Sequence, residues 1–136
     1  MAVMKNLEIM QFCRRYLQLQ SGVEIRPSEL KILAVMCGGM GPHTPAQLAM
    51  QLNVSRPMIS ATISRMVAAG IIVRVPSPDD GRSVCLMPTK HGVQIMKQVN
   101  KNTAQIMNTL TQRMGQKKLD TFIKLIGAVN SVLSAE

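Results

Sequence analysis

The stretch TPAQLAMQLNVSRPMISATISRMVAAGIIVRVPSPDDGRSVCLMPTKHG, residues 44–92, decides the fold. It opens on Thr44-Pro45-Ala46-Gln47, the pattern of a capping box. The Thr44 hydroxyl can accept the third helical N–H, Gln47 can reach back to the cap, and Pro45 is pre-set for the first helical position. The helix so started is short, Pro45 to Leu52. After Asn53-Val54, Ser55 is a second N-cap, and the helix it opens runs to Ala69 and stops at Gly70. The pattern is helix, tight turn, helix. The β-branched run Ile71-Ile72-Val73-Arg74-Val75 follows, then Pro76-Ser77-Pro78-Asp79-Asp80-Gly81, then Arg82-Ser83-Val84-Cys85-Leu86-Met87. Two strands around an Asp-Gly tip read as a β-hairpin, and a helix-turn-helix followed by such a hairpin is a winged helix.

The second helix buries Ile59, Ile63, Met66 and Val67, which leaves Arg56, Pro57, Ser60, Ala61, Ser64 and Arg65 outward. That outward face is small, hydroxylated and basic, with no acid to repel phosphate. Small residues allow close approach to the walls of a major groove about 12 Å wide, and the hydroxyl and guanidinium groups can address base edges or phosphate oxygens. A merely solvated helix would carry Glu and Lys in salt-bridging pairs there. At the hairpin tip, Arg82 can reach a narrow, electronegative minor groove, and Asp80, two residues earlier, can hold its guanidinium. An ordinary turn ion pair is the alternative reading of Asp80 and Arg82; the helix that precedes them favours the wing.

Composition agrees with a duplex reader. The 136 residues carry 16 Lys+Arg against 7 Asp+Glu, a net charge of +9. Net charge alone speaks to non-specific association and not to fold; its placement is more informative. From Leu30 to Leu119 the only acids are Asp79 and Asp80. Two Phe, one Tyr and no Trp weigh against single-strand binders, which stack bases on aromatic side chains. Apolar residues at 46% suffice for one buried core, and the longest nearly apolar run, Ile32 to Met40, is too short to span a bilayer. Three cysteines without a Cys-x-x-Cys pair, and an N-terminus without a secretory pattern, point to a reduced, cytoplasmic protein. No Ser-His-Asp set, metal motif, phosphate loop or catalytic carboxylate pair is present, so an enzyme is not expected, nor is any cofactor. His43 and His91 read as cap-side or surface residues, without metal-ligand spacing.

Helical periodicity dominates both ends. Val3, Leu7, Met10, Cys13 and Leu17 form one stripe on a helix that ends before Ser21-Gly22. A helix from about Pro27 to Cys37 ends at Gly38-Gly39. A long helix from about Lys90 to Met114 carries Met96, Val99, Thr103, Met107, Leu110 and Met114, and closes at Gly115. A last helix carries Leu119, Phe122, Ile126, Val129 and Leu133. Terminal helices with such regular seams are suited to packing on each other and on a second copy, which predicts a homodimer. The expected fold is mainly α with a small β-wing: a winged helix-turn-helix flanked by N- and C-terminal dimerisation helices.

From Ile25 to Gly92 the chain resembles the MarR (multiple antibiotic resistance regulator) transcription factors. The resemblance rests on Leu48-Ala49, the Ser-capped helix Ser55 to Arg65, Gly70-Ile71-Ile72-Val73-Arg74, Asp80-Gly81-Arg82 and Thr89-Lys90-His91-Gly92, and the spacing from Arg74 through Arg82 to Gly92 needs no gap. It implies a single domain, residues 1–136, with dimerisation helices at 1–24 and 93–136 around a DNA-binding lobe at 25–92. It further implies a homodimer on pseudo-palindromic double-stranded DNA, usually a repressor, often released by a small-molecule effector or an oxidant. Carried over by residue, Arg56, Ser60, Ser64, Pro57 and Ala61 would face the major groove after the Ser55 cap. Arg65 and Arg74 would hold phosphates, and Arg82, positioned by Asp80, the minor groove. The chain departs from the family at Gly81, where a first wing arginine is usual, so one guanidinium per subunit would enter the minor groove. It departs also at Ala61, where many relatives carry arginine, at Arg26, in place of a threonine cap, and at Pro88, in place of leucine.

Three alternatives accompany this reading. A winged helix can serve as a protein-interaction module or as a loosely specific architectural DNA binder. An oxidant sensor would act through Cys13, which Arg14 and Arg15 would activate if the thiol were exposed; its place in the apolar stripe predicts instead a small buried hydrophobe. Cys37 and Cys85 are weaker redox candidates. Twelve methionines, many on helical stripes, would suit either an apolar effector site or plain core.

Overall fold

Both helices of the central motif begin and end as their sequence requires. In the computed structural model, which describes residues 1–20, 22–39 and 41–134, α3 spans Pro45–Leu52 and α4 spans Arg56–Ala68. Ser21 and Met40 lie outside the described residues. The Thr44 hydroxyl accepts from Gln47 N at 3.1 Å while Gln47 Oε1 accepts from Thr44 N at 2.9 Å, and Ser55 Oγ accepts from Met58 N at 3.3 Å. At the other ends, Asn53 (φ 52°) and Gly70 (φ 73°) take the left-handed conformation. Val54 N then bonds Ala49 O and Ile71 N bonds Met66 O, the long bonds of two Schellman turns. Each turn sends the chain sharply off the helix axis.

Around them, α1 is Ala2–Leu19, α2 Pro27–Gly38, β1 Ile72–Pro76, β2 Val84–Pro88, α5 Lys90–Met114 and α6 Gln116–Ser134. The strands pair antiparallel with Arg74 opposite Leu86. They lie one to two residues later than the β-branched run suggests, because hydrogen bonds of the tip hold Arg82 and Ser83 in the turn. A bridge from His43 to Leu86, with N–H···O distances of 3.2 and 2.8 Å, ties the start of α3 to β2.

The described residues fall into two compact units, one within Met1–Gln20 and Lys101–Glu136, the other within Ser21–Asn100. The second is the winged helix. Its core joins Ile32, Leu33 and Met36 of α2, Leu48 of α3, Ile59, Ile63 and Met66 of α4, Ile71, Ile72, Leu86, and Ile95 and Val99 of α5. Each such side chain, fully buried, contributes about 1.5–3 kcal/mol. The first turns of α5 thus belong to this unit, which runs to Asn100, and complete its core. Thr89 seals the junction: its hydroxyl caps α5 by accepting from Gly92 N at 3.1 Å and donates to the carbonyls of Gly70 and Ile71.

In the other unit no residue of α1 is buried within the chain, and of α6 only Leu119 is. Phe12 meets Phe122 edge-on with centroids 5.4 Å apart, and Gln20 Nε2 donates to Thr103 Oγ1 at 2.9 Å. Glu8, Phe12, Tyr16 and Leu19 border a groove shared with Ile106 and Leu110. The stripe Val3, Leu7, Met10, Cys13, Leu17 lies about half a turn away around α1, and all of it is exposed. Cys13 is therefore exposed within the single chain, whose own packing uses the opposite face of α1.

Candidate nucleic-acid interface

The local sequence of α4 explains its two faces. Ile59, Thr62, Ile63 and Met66 are buried, and Ser55, Arg56, Pro57, Ser60, Ala61, Ser64 and Arg65 are exposed. Thr62 is the residue that apolar patterning misses. Its hydroxyl donates to the Met58 carbonyl one turn back at 3.0 Å, which satisfies a polar group on the core side. Met58, 59% exposed in the first turn, adds an apolar group to the outward face that sequence reading also passes over.

The wing tip is ordered by Asp80, though not as expected. Its Oδ1 accepts from Arg82 N at 3.0 Å and its Oδ2 from Ser83 Oγ at 3.2 Å, while Ser83 N donates to Asp80 O and Ser77 N to Ser83 O, both at 2.9 Å. The carboxylate folds the turn's backbone, an Asx-type arrangement, and among the described residues no ion pair joins it to the Arg82 guanidinium. The Arg82 side chain is left exposed, with no ion pair among the described residues.

Arg65 differs from expectation in the other direction. Its Nε lies 3.6 Å from Glu29 Oε1, the one ion pair among the described residues, and its terminal nitrogen donates to Thr62 Oγ1 at 3.3 Å. Glu29, buried, accepts from Arg26 N at 3.1 Å through its other oxygen, so it caps α2 despite the missing threonine. The signal for it is Glu at the third helical position after Arg26-Pro27, half a capping box. Arg56, Arg74 and Arg82 have no ion-pair partner among the described residues. Of the arginines on α4 and the wing, these three are thus available to a polyanion, with Arg65 partly committed within the chain.

His43 is buried and not superficial, its ring against Gly39, where a Cβ would come within 2.8 Å of it. Cys85 is buried, and burial raises the Cys37 thiol above its ordinary pKa, which disfavours the reactive thiolate.

A winged helix with an acid-free second helix and an exposed arginine at the wing tip fits what comparison with known proteins finds. The MarR family model matches residues 25–84. The chain belongs to the MarR family. The multiple antibiotic resistance protein MarR of Salmonella typhimurium is 27% identical over 108 residues, 78% of this chain and 74% of that one. Among solved structures, the transcriptional repressor CouR bound to a 23-mer DNA duplex superposes with a TM-score of 0.74 at 22% identity, covering 94% of this chain and 89% of that one. A mutant of the Escherichia coli MarR does so at 0.68 and 23%, covering 95% of each. This MarR-family chain therefore has the winged-helix DNA-binding fold of transcriptional regulators, a family that is not one of enzymes. Among the described residues no helix is long and apolar enough to cross a membrane.

Proposed function

We propose that the chain is a cytoplasmic, homodimeric repressor that reads pseudo-palindromic duplex DNA. The observation that carries this is the outward side of α4, where Arg56, Ser60, Ala61 and Ser64 stand exposed with no acid among them, beside a wing whose Arg82 has no ion pair among the described residues. In this reading α4 enters the major groove, with Arg56, Ser60 and Ser64 on base edges and Met58 and Ala61 against thymine methyls. Arg74 holds a phosphate and Arg82 the minor groove.

The dimer reading is supported by the exposed stripe of α1 and by Ile123, Leu125, Val129, Val132 and Leu133 on α6, a larger apolar surface than a lone chain normally presents to water. Release by a small apolar ligand is supported by a groove of about 340 Å³ in the winged-helix unit, lined by Met36, Met87, Val93 and Met96 with Lys97 at its edge.

Selection of bound sequences from a random duplex pool tests the function. A two-fold motif with half-sites about one helical turn apart is expected. Recovery without sequence enrichment would replace it with the architectural-binder reading.

A further inference from the structure

Glu29 is 8% exposed, and its two carboxylate oxygens serve different elements: one the N-terminus of α2, the other the guanidinium of Arg65 on α4. The guanidinium in turn donates to Thr62, whose hydroxyl donates to the Met58 carbonyl. A continuous relay thus runs from Arg26 N through Glu29, Arg65 and Thr62 to the first turn of α4. A carboxylate taken out of water needs a partner, and Arg65 supplies it, so the pair resists being opened. Yet the Arg65 side chain remains 43% exposed on the basic flank of the helix. Without Glu29 it would be one more free cation for phosphate.

Resting on the DNA-binding reading above, we propose that Glu29 is a positioning residue that holds the Arg65 guanidinium off the phosphate backbone and so limits sequence-independent binding. A guanidinium already neutralised by a carboxylate displaces few counterions when a phosphate arrives. A freed one displaces about one, and that term dominates non-specific affinity. The relay thereby leaves discrimination to the groups that face base edges.

The test is a salt titration on a duplex of random sequence with the intact protein, its Glu29→Gln variant and the double variant Glu29→Gln, Arg65→Gln. Glutamine keeps the size of the side chain and an acceptor for Arg26 N while removing the charge, and thermal unfolding of each variant confirms that it folds. Glu29→Gln is expected to bind this duplex more tightly at low salt and to steepen the log–log salt slope by about 0.9, equal to an extra loss of about 3.5-fold between 50 and 200 mM salt. The double variant should return to the slope of the intact protein. A folded Glu29→Gln variant with an unchanged slope, or a steeper slope that persists in the double variant, overturns the role of Glu29 while leaving the regulator reading intact. Absence of salt-dependent binding by the intact protein overturns both.

Discussion

Gly92 of α5 lies against the Ile71 carbonyl so closely that a Cβ at position 92 would overlap its oxygen, with the Ile71 carbonyl carbon at 3.3 Å and Leu33 Cδ1 at 3.4 Å. The same carbonyl accepts from Thr89 N at 3.0 Å, so the backbone leaving α4 and the start of α5 are held together at one point. Since the obstacle is backbone and not the end of a flexible side chain, Gly92→Ala cannot be absorbed by a rotamer change. The expected cost is about 1–3 kcal/mol, the range for overpacking, read as a lower urea midpoint with an unchanged slope. A stability equal to that of the parent protein would show that this junction gives way easily.

Asp80 allows charge and architecture to be separated at the wing. Asp80→Ala removes a negative charge next to DNA, which by electrostatics alone would tighten binding. It also removes the acceptors for Arg82 N and Ser83 Oγ, on which the turn depends. Ordering of the tip outweighs the charge in this reading, so Asp80→Ala should weaken DNA binding severalfold while leaving global stability within about 0.5 kcal/mol, as for exposed sites generally. Asp80→Asn, which keeps an acceptor for Arg82 N and loses the charge, should bind at least as well as the parent. Fluorescence anisotropy with a selected operator measures both; tighter binding by the alanine variant would reverse the ranking.

Arg82→Ala should weaken operator and non-operator DNA alike and flatten the salt slope by about 0.9, one phosphate's worth. Changes at Arg56 or Ser60 should instead alter sequence preference, at about 1–3 kcal/mol for each bidentate hydrogen-bond pair to a base that is removed. Salt titrations of Arg82→Ala on both kinds of duplex, beside a repeated pool selection with Ser60→Ala, separate the two classes. An unchanged slope and affinity for Arg82→Ala would remove the wing from the interface.

What the sequence shows of this fold follows the range of the interactions involved. The capping box at Thr44, the Ser55 cap, the Gly70 stop and the hairpin are interactions within a few residues, and their residue types have few other uses. Glu29 with Arg65 and His43 with Leu86 join residues far apart along the chain, and no local pattern pairs them. Thr62 stays hidden because a hydroxyl that bonds its own helix can sit among core residues. Asp80 is legible as part of the wing but not in its partner, since the spacing from Asp80 to Arg82 suits a backbone N–H as well as a guanidinium. The α1 stripe is legible as an apolar face, while its direction is not: Phe12 and Tyr16 form a second, opposite face, and only the structure shows which one the chain uses itself.

That opposition gives the sharpest test of the assembly. Leu7 is 44% exposed and belongs to the α1 stripe, away from the Phe12–Phe122 contact. In an isolated chain Leu7→Glu would place a charge in water at little cost. In a dimer sealed by this stripe it would bury two carboxylates, one from each copy, without partners, and buried unpaired charge costs several kcal/mol each. Sedimentation velocity should therefore show the parent protein as a dimer and Leu7→Glu as a monomer at micromolar concentration, with helical content by circular dichroism maintained. Operator affinity should fall steeply in the same variant, because a two-fold site then binds one copy at a time and loses the effective concentration that links its half-sites. Phe12→Glu, on the intrachain face, should lower stability in addition, since it breaks the ring contact with Phe122. A Leu7→Glu variant that remains dimeric would move the seam off α1 and onto α6, where Val129→Glu repeats the experiment.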